Sequence, residues 1–186
     1  MKLLPLILFI FQIFIPFSSQ LEEVCRLKTI DSVCREERTL IIVKPDGVQR
    51  GLVGQVLQRY EAKGLKLIAI KMLRASRTLM KEHYDDIKNA PYFQDTLDYM
   101  TSGPIVATVW QGYKAVIYGR QILGSSLTSN SLPGTIRFEY SLSDVENVVH
   151  GSDSIEAANR EIKLWFNQTE LSPWIQAKTQ FISEYN

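Results

Sequence analysis

The run Ile105-Val106-Ala107-Thr108-Val109-Trp110 constrains the fold most: consecutive uncharged residues rich in β-branched side chains, opened by the chain break Gly103-Pro104. A short run of this kind suits a central strand, paired on both edges. Thr39-Leu40-Ile41-Ile42-Val43 reads the same way and is stopped by Lys44-Pro45-Asp46-Gly47, which leaves Lys44 at a strand end. Residues 65–73 resume as a strand, with Leu67 and Ala69 on one face and Ile68, Ile70 and Met72 on the other. Residues 145–149 make a last strand leading to His150.

Helical spacing fills the intervals. Val53, Val56, Leu57 and Tyr60 share one side of 51–63, which ends at Gly64. Ser76 caps a helix over 77–87, Pro91-Tyr92-Phe93 opens a piece running to Met100, and 114–123 forms a helix ending at Gly124. Asp153 with Glu156 reads as a capping box for 155–166, where Ile155, Ala158, Ile162 and Trp165 recur at helical spacing. Residues 125–136 form one long irregular segment, and 138–142 reads as extended. Strand, helix, strand, given twice, is the split βαβ pattern of a ferredoxin-like α+β domain. It predicts a four-stranded antiparallel sheet, with helices able to cover one of its faces.

The segments before this domain have a different character. Met1-Lys2 followed by an almost wholly apolar stretch to Phe17 and then Ser18-Ser19-Gln20 is a signal-peptide-like segment, 1–20. It is too short for an ordinary spanning helix, so no stable transmembrane anchor is expected; a cleaved signal is favoured over an uncleaved anchor or an organellar leader. Residues 21–38 read as a linker or arm, with the domain at 39–186. Cys25 and Cys34 could pair in an oxidising compartment, and Asn167-Gln168-Thr169 is a glycosylation sequon that matters only on the secretory route. The secretory pathway or the extracellular space is therefore favoured over a cytoplasmic or organellar location.

Against 20 acidic residues stand 21 basic ones, a formal net charge of +1, so no bulk basicity marks a nucleic-acid partner. An anionic ligand would have to be met by a local cluster. No GxxxxGK or GxGxxG loop is present, and His83 and His150 are the only histidines, which excludes a histidine-rich metal site. His150, between a strand and a helix start, is a candidate base or nucleophile, although a histidine near a cap is more often a surface group. Lys44, Arg120 and Arg137 fall near element ends, where they could clamp phosphate oxygens, and Tyr92 offers a ring for a base.

Five segments in order carry a more specific signal: 44–51 (KPDGVQRG), 81–84 (KEHY), 102–104 (SGP), 133–137 (PGTIR) and 147–156, containing His150-Gly151-Ser152-Asp153-Ser154. Together they resemble the nucleoside diphosphate kinase family over roughly residues 37 to 171. The resemblance implies ping-pong transfer of a γ-phosphoryl group from a nucleoside triphosphate to a nucleoside diphosphate, with His150 as the nucleophile through Nδ1. Glu161 matches the carboxylate on the other ring nitrogen, and Ser152 a serine close to the ring. Lys44, Tyr84, Arg120, Ser126 and Arg137 match phosphate-contacting positions, Asn147 the sugar contact, shared with Lys44, and Tyr92 the base-stacking aromatic. ATP would be the phosphoryl donor and Mg2+ would arrive with the nucleotide, needing no protein metal ligands. The family also implies a homo-oligomer, a hexamer favoured over a tetramer.

Some positions depart from the pattern. Phe138 stands for a glycine beside Arg137, Asp144 for an apolar wall of the base slot, Glu146 for a common arginine, and Ser126 and Tyr92 for a threonine and a phenylalanine. Phe138 is expected to force a local packing change, and Asp144 to cost affinity or to favour bases offering donors. The alternative function is a nucleotide-binding or regulatory paralogue with weak or lost transfer.

Overall fold

The computed structural model describes residues 37–175. The signal-like segment, Cys25, Cys34 and the end of the tail with Phe181 and Tyr185 lie outside them. The elements are β1 (Arg38–Val43), α1 (Pro45–Gln49), α2 (Val53–Ala62), β2 (Lys66–Leu73), α3 (Arg77–His83), α4 (Phe93–Thr101), β3 (Ile105–Gln111), α5 (Ala115–Leu123), α6 (Ile136–Tyr140), β4 (Val149–Gly151) and α7 (Ile155–Trp165). The sheet order is β2-β3-β1-β4, with every neighbouring pair antiparallel.

β3 and β1 are central, and β3 is buried along its whole length. Helices cover both faces rather than one, because β1 and β3 are apolar on both. Leu40 and Ile42 pack against Met80 of α3, Leu97 and Met100 of α4, and Ile162 and Trp165 of α7. Ile41 and Val43 turn the other way, toward Val56 and Tyr60 of α2, Ala115 and Leu123 of α5, and Ile136 of α6. The period of two along β1 therefore sends alternate residues into two separate cores.

Five local readings differ from the sequence expectation. β2 is irregular between Leu67 and Ala69, so Leu67 joins the α2 side while Ile68 and Ala69 both join the α3 side, and Ile70 and Met72 are left half exposed or more. An extra residue in a strand shifts the alternation after it, and hydrophobicity alone does not reveal where. Residues 138–142 are not extended: the Thr135 side chain caps α6 by accepting from the Phe138 N–H, and Phe138 and Leu142 face solvent. The strand expected at 145–149 lies instead at Val149–Gly151, because Val148 has φ +70° and breaks the run. The cap of α7 is Ser154, which accepts from the Ala157 N–H at 3.1 Å, in place of the Asp153 capping box. Arg38, assigned to the arm, pairs with Gln111 as the first residue of β1.

Gly151 is where β4 can pass under α5. A Cβ there would lie 2.5 Å from Leu123 Cδ2 and 2.9 Å from Ile41 Cδ1. Gly151→Ala is expected to destabilise the domain by about 1–3 kcal/mol through overpacking, read as a lower denaturant midpoint at unchanged m-value.

Candidate active site

β4 places His150 opposite Ile42 of β1, so its ring points to the side where α3 and α7 pack. There Glu161, buried on α7, meets His150 Nε2 through Oε2 at 3.3 Å. The Ser152 hydroxyl donates to the same Oε2 at 2.7 Å and accepts from the Leu40 N–H at 3.2 Å, tying the carboxylate to the central strand. Burial alone would raise the Glu161 pKa, but the hydrogen bonds from His150 and from the Ser152 hydroxyl outweigh it and hold the carboxyl below its usual range. An ionised carboxylate at Nε2 keeps a proton on that nitrogen and leaves Nδ1, on the other side of the ring, with its lone pair.

His83 closes the site from below, and the sequence reading gave it no role beyond its motif. It is 1% exposed, and its ring centroid lies 4.5 Å from that of His150 at 73°. The Trp165 Nε1–H donates to His83 Nδ1 at 3.1 Å, so the proton of the neutral ring sits on Nε2, a buried nitrogen without a partner. Burial first, then the neighbouring His150, lowers its pKa to about 3. Ligand-type atoms of His83, His150 and Glu161 lie within 4.8 Å of one another. A cation on His83 Nε2 would nevertheless push the proton to Nδ1, where it would face the Trp165 N–H, donor against donor. The group suits a neutral packing ring better than a metal.

Cations surround the open side. Arg137, 4% exposed, donates to Val149 O at 2.8 Å and Gly124 O at 3.2 Å, and Arg120 donates to Gly151 O at 3.3 Å. The two guanidinium groups thus grip the carbonyls on either side of His150. Lys44 Nζ donates to Asn147 Oδ1 at 2.7 Å and Val145 O at 3.3 Å. None of these three cations forms an ion pair with a carboxylate among the described residues. Burial, then the charge of Arg137, lowers the Lys44 pKa to about 7, while burial, then Arg120, lowers that of Arg137 to about 10.

A strained backbone orders this cluster. Val148, a β-branched residue, sits at φ +70°, where side chains of its kind are rarely found. It is held on both sides: its carbonyl accepts from the Lys44 N–H at 2.8 Å, and its N–H donates to Asp46 Oδ2 at 3.1 Å. Tyr99 donates its hydroxyl to the other oxygen of Asp46. Asp46 and Tyr99 were not among the sequence candidates; Asp46 sits inside the Lys44-Pro45-Asp46-Gly47 segment, but nothing local points to Tyr99.

The structure gathers most of the expected residues. Tyr84 lies edge-on to His150 with centroids 6.0 Å apart, and burial, reinforced by Glu161, keeps its hydroxyl protonated. Asn147 is buried and donates to Asp144 O at 2.7 Å and Ser126 O at 3.4 Å. Ser126 thus reaches the cluster through its carbonyl, with its side chain exposed. Tyr92, 55% exposed at the start of α4, touches none of the other candidates through a bond or ring contact among the described residues. Phe138 is 51% exposed and Arg137 stays buried behind it, while Asp144 Oδ1 accepts from the Thr128 N–H at 2.6 Å and so anchors the 125–136 segment.

An imidazole oriented by a carboxylate, with three cations close by that form no ion pair among the described residues, is an arrangement that can accept a phosphoryl group, which fits the class of phosphotransferases that work through histidine. Comparison with known proteins agrees and is narrower. The nucleoside diphosphate kinase family profile matches residues 37–171. A nucleoside diphosphate kinase of Drosophila melanogaster is 49% identical over 149 residues, covering 80% of this chain and 97% of the relative. Nucleoside diphosphate kinase A 1 of Bos taurus is 47% identical over 152 residues, covering 82% and 100%. Among solved structures, a halophilic nucleoside diphosphate kinase of Halobacterium salinarum in complex with CDP superposes with a TM-score of 0.78 at 40% identity, covering 80% and 99%. The chain belongs to the nucleoside diphosphate kinase family.

His83 gives a testable dependence on pH. Its folded pKa of about 3 lies below the unfolded value of 6.5, so the unfolded chain binds a proton that the folded one excludes. Stability present above pH 6.5 should fall as pH drops toward 3, at up to about 1.4 kcal/mol per unit from this group. Denaturant midpoints should therefore show a shallower acid slope in His83→Phe than in the parent.

Proposed function

We propose that this nucleoside diphosphate kinase transfers the γ-phosphoryl group through His150, with ATP as a donor. The observation that carries the reading is the Glu161–His150 contact at Nε2, which leaves Nδ1 as the attacking atom. Nδ1 forms a bond to the γ-phosphorus as the bond from phosphorus to the bridging oxygen breaks and the nucleoside diphosphate leaves. The Nε2 proton stays between the ring and Glu161, whose negative charge stabilises the imidazolium character of the phosphorylated ring. An acceptor diphosphate then reverses the step.

Phosphoryl transfer asks for alignment and charge compensation more than for covalent chemistry by the protein. Arg120, Arg137 and Lys44 supply the charge, Tyr84 a hydroxyl donor, and Ser152 a fixed Glu161. Asn147 and Lys44 hold the sugar, Ser126 a phosphate oxygen, and Tyr92 stacks on the base. Stacking distinguishes bases poorly, so purine and pyrimidine nucleotides should both be accepted. Mg2+ enters with the triphosphate: the carboxylates nearest the site already have protein partners, Glu161 the His150 ring and Ser152, Asp46 the Val148 N–H and the Tyr99 hydroxyl, and Asp144 the Thr128 N–H.

We also place the chain in the secretory pathway or outside the cell, on its leader-like first segment, and expect a homo-oligomer, a hexamer before a tetramer. Support for assembly comes from exposed apolar side chains: Leu132 at 73% next to Pro133, and Met72 at 62% on the edge strand β2.

Incubation with γ-labelled ATP and magnesium should leave acid-labile, base-stable label on the protein that several acceptor diphosphates discharge, and His150→Ala should take none. Absence of label on folded parent protein that binds nucleotide would remove the transferase reading. Glu161→Gln should slow transfer by about tenfold to a hundredfold with a smaller change in KM. Lys44 loses its charge as pH rises through about 7 in the free enzyme, and bound phosphate favours the charged form. Nucleotide affinity is therefore expected to fall above pH 7, by up to about tenfold per unit until the pKa of the complex is passed, and Lys44→Met should flatten that dependence.

A further inference from the structure

The sequon Asn167-Gln168-Thr169 takes no part in phosphoryl transfer, and its three residues are all exposed. It lies just past the C-terminal end of α7, in the turn Gln168–Glu170. Here the Asn167 side-chain oxygen accepts from the Glu170 N–H, while the Glu170 carboxylate accepts from the Asn167 N–H at 2.7 Å. A backbone N–H can only donate, so the orientation of the amide is set: Oδ1 is engaged and Nδ2 points away from the turn. Neither Nδ2 nor the Thr169 hydroxyl bonds to any of the described residues.

We propose that Asn167 is the acceptor for an N-linked oligosaccharide, a modification that rests on the secretory placement given above. The co-substrate is a lipid-pyrophosphate-linked oligosaccharide, brought by the lumenal glycosyltransferase of the secretory pathway. Asn167 Nδ2 forms a bond to the anomeric carbon as the bond from that carbon to the phosphate oxygen breaks. The lipid pyrophosphate leaves, and the proton lost from Nδ2 passes to a base of the transferase. The +2 hydroxyl required by the acceptor motif is Thr169, and the residue between is Gln168, not proline.

The fold accommodates the added mass. Glycan on Nδ2 breaks neither bond of the capping box, because that box uses Oδ1, the Glu170 carboxylate and backbone. Glu161 lies four residues before the end of α7, roughly 6 Å along the helix at about 1.5 Å per residue, and the chain runs on extended at Phe166, so the sugar stands past the far end of α7 from the Glu161 carboxylate. It stands beside β2 as well: Glu170 pairs with Lys71 at 2.8 Å, and Lys71 lies 4.5 Å over the Phe166 ring.

The test uses the full chain, expressed in a secreting eukaryotic cell with its own leader and, in parallel, with a leader of established secretory function in its place. One glycosidase-sensitive step in mobility is expected in both, lost in Asn167→Gln and in Thr169→Ala and kept in Thr169→Ser. Transferase activity of all these forms should agree within about twofold. If the chain with its own leader stays in the cytosol while the leader-replaced chain carries the glycan, the compartment fails and the acceptor site stands. A leader-replaced chain that reaches the medium folded and active but without glycosidase-sensitive mass overturns the proposal.

Discussion

The Glu161 carboxylate is the group on which the rest depends. It is buried, which costs free energy for a charge, and it is retained because the His150 ring and the Ser152 hydroxyl both bond to one of its oxygens. The carboxylate in turn sets the tautomer of His150 and so decides which nitrogen faces the open side. Ser152 adds a mechanical link: by accepting from the Leu40 N–H it joins α7, β4 and the central strand in one hydrogen-bonded chain. Moving any of these elements moves the His150 ring.

On the opposite side of the ring the electrostatics are left incomplete. Lys44, Arg120 and Arg137 are held by neutral acceptors, mostly backbone carbonyls of the strand that carries His150 and of the loop before it, and burial depresses the pKa of two of them. A site of this kind is strained in charge until an anion enters. The backbone at Val148 adds conformational strain at the same place, over-determined by Lys44, Asp46 and the Tyr99 bond to Asp46. The cost is met by two packed cores on either side of a sheet whose central strand is completely buried.

Much of this was legible in the sequence. The apolar runs gave β1 and β3, helical spacing gave α2, α5 and α7, and the ordered motifs gave the family and most of the residues that gather around His150. The failures have local causes. Phe138, Tyr140 and Leu142 alternate like a strand, but the Thr135 cap turns the segment into one helical turn with Phe138 and Leu142 outward, so the feared bulk beside Arg137 never enters the site. Asp144 also has one oxygen engaged in holding Thr128, a contact that its position in the sequence does not record. The β2 irregularity and the left-handed Val148 leave no mark in composition, because each is imposed by partners far away in the chain.

Sequence by itself determined the alternation of strands and helices, the candidate histidine and cations, and the family, because side-chain type and spacing are local properties. Tertiary structure alone decided that His83 is a neutral ring packed against His150, that Ser154 rather than Asp153 caps α7, and that Tyr99 secures the turn beneath Val148. Those outcomes depend on which distant donor meets which acceptor: Trp165 on His83, Tyr99 on Asp46, Asp46 on Val148. Such pairings cost or gain a few kcal/mol only once burial has removed water as an alternative partner, and no spacing along the chain records that.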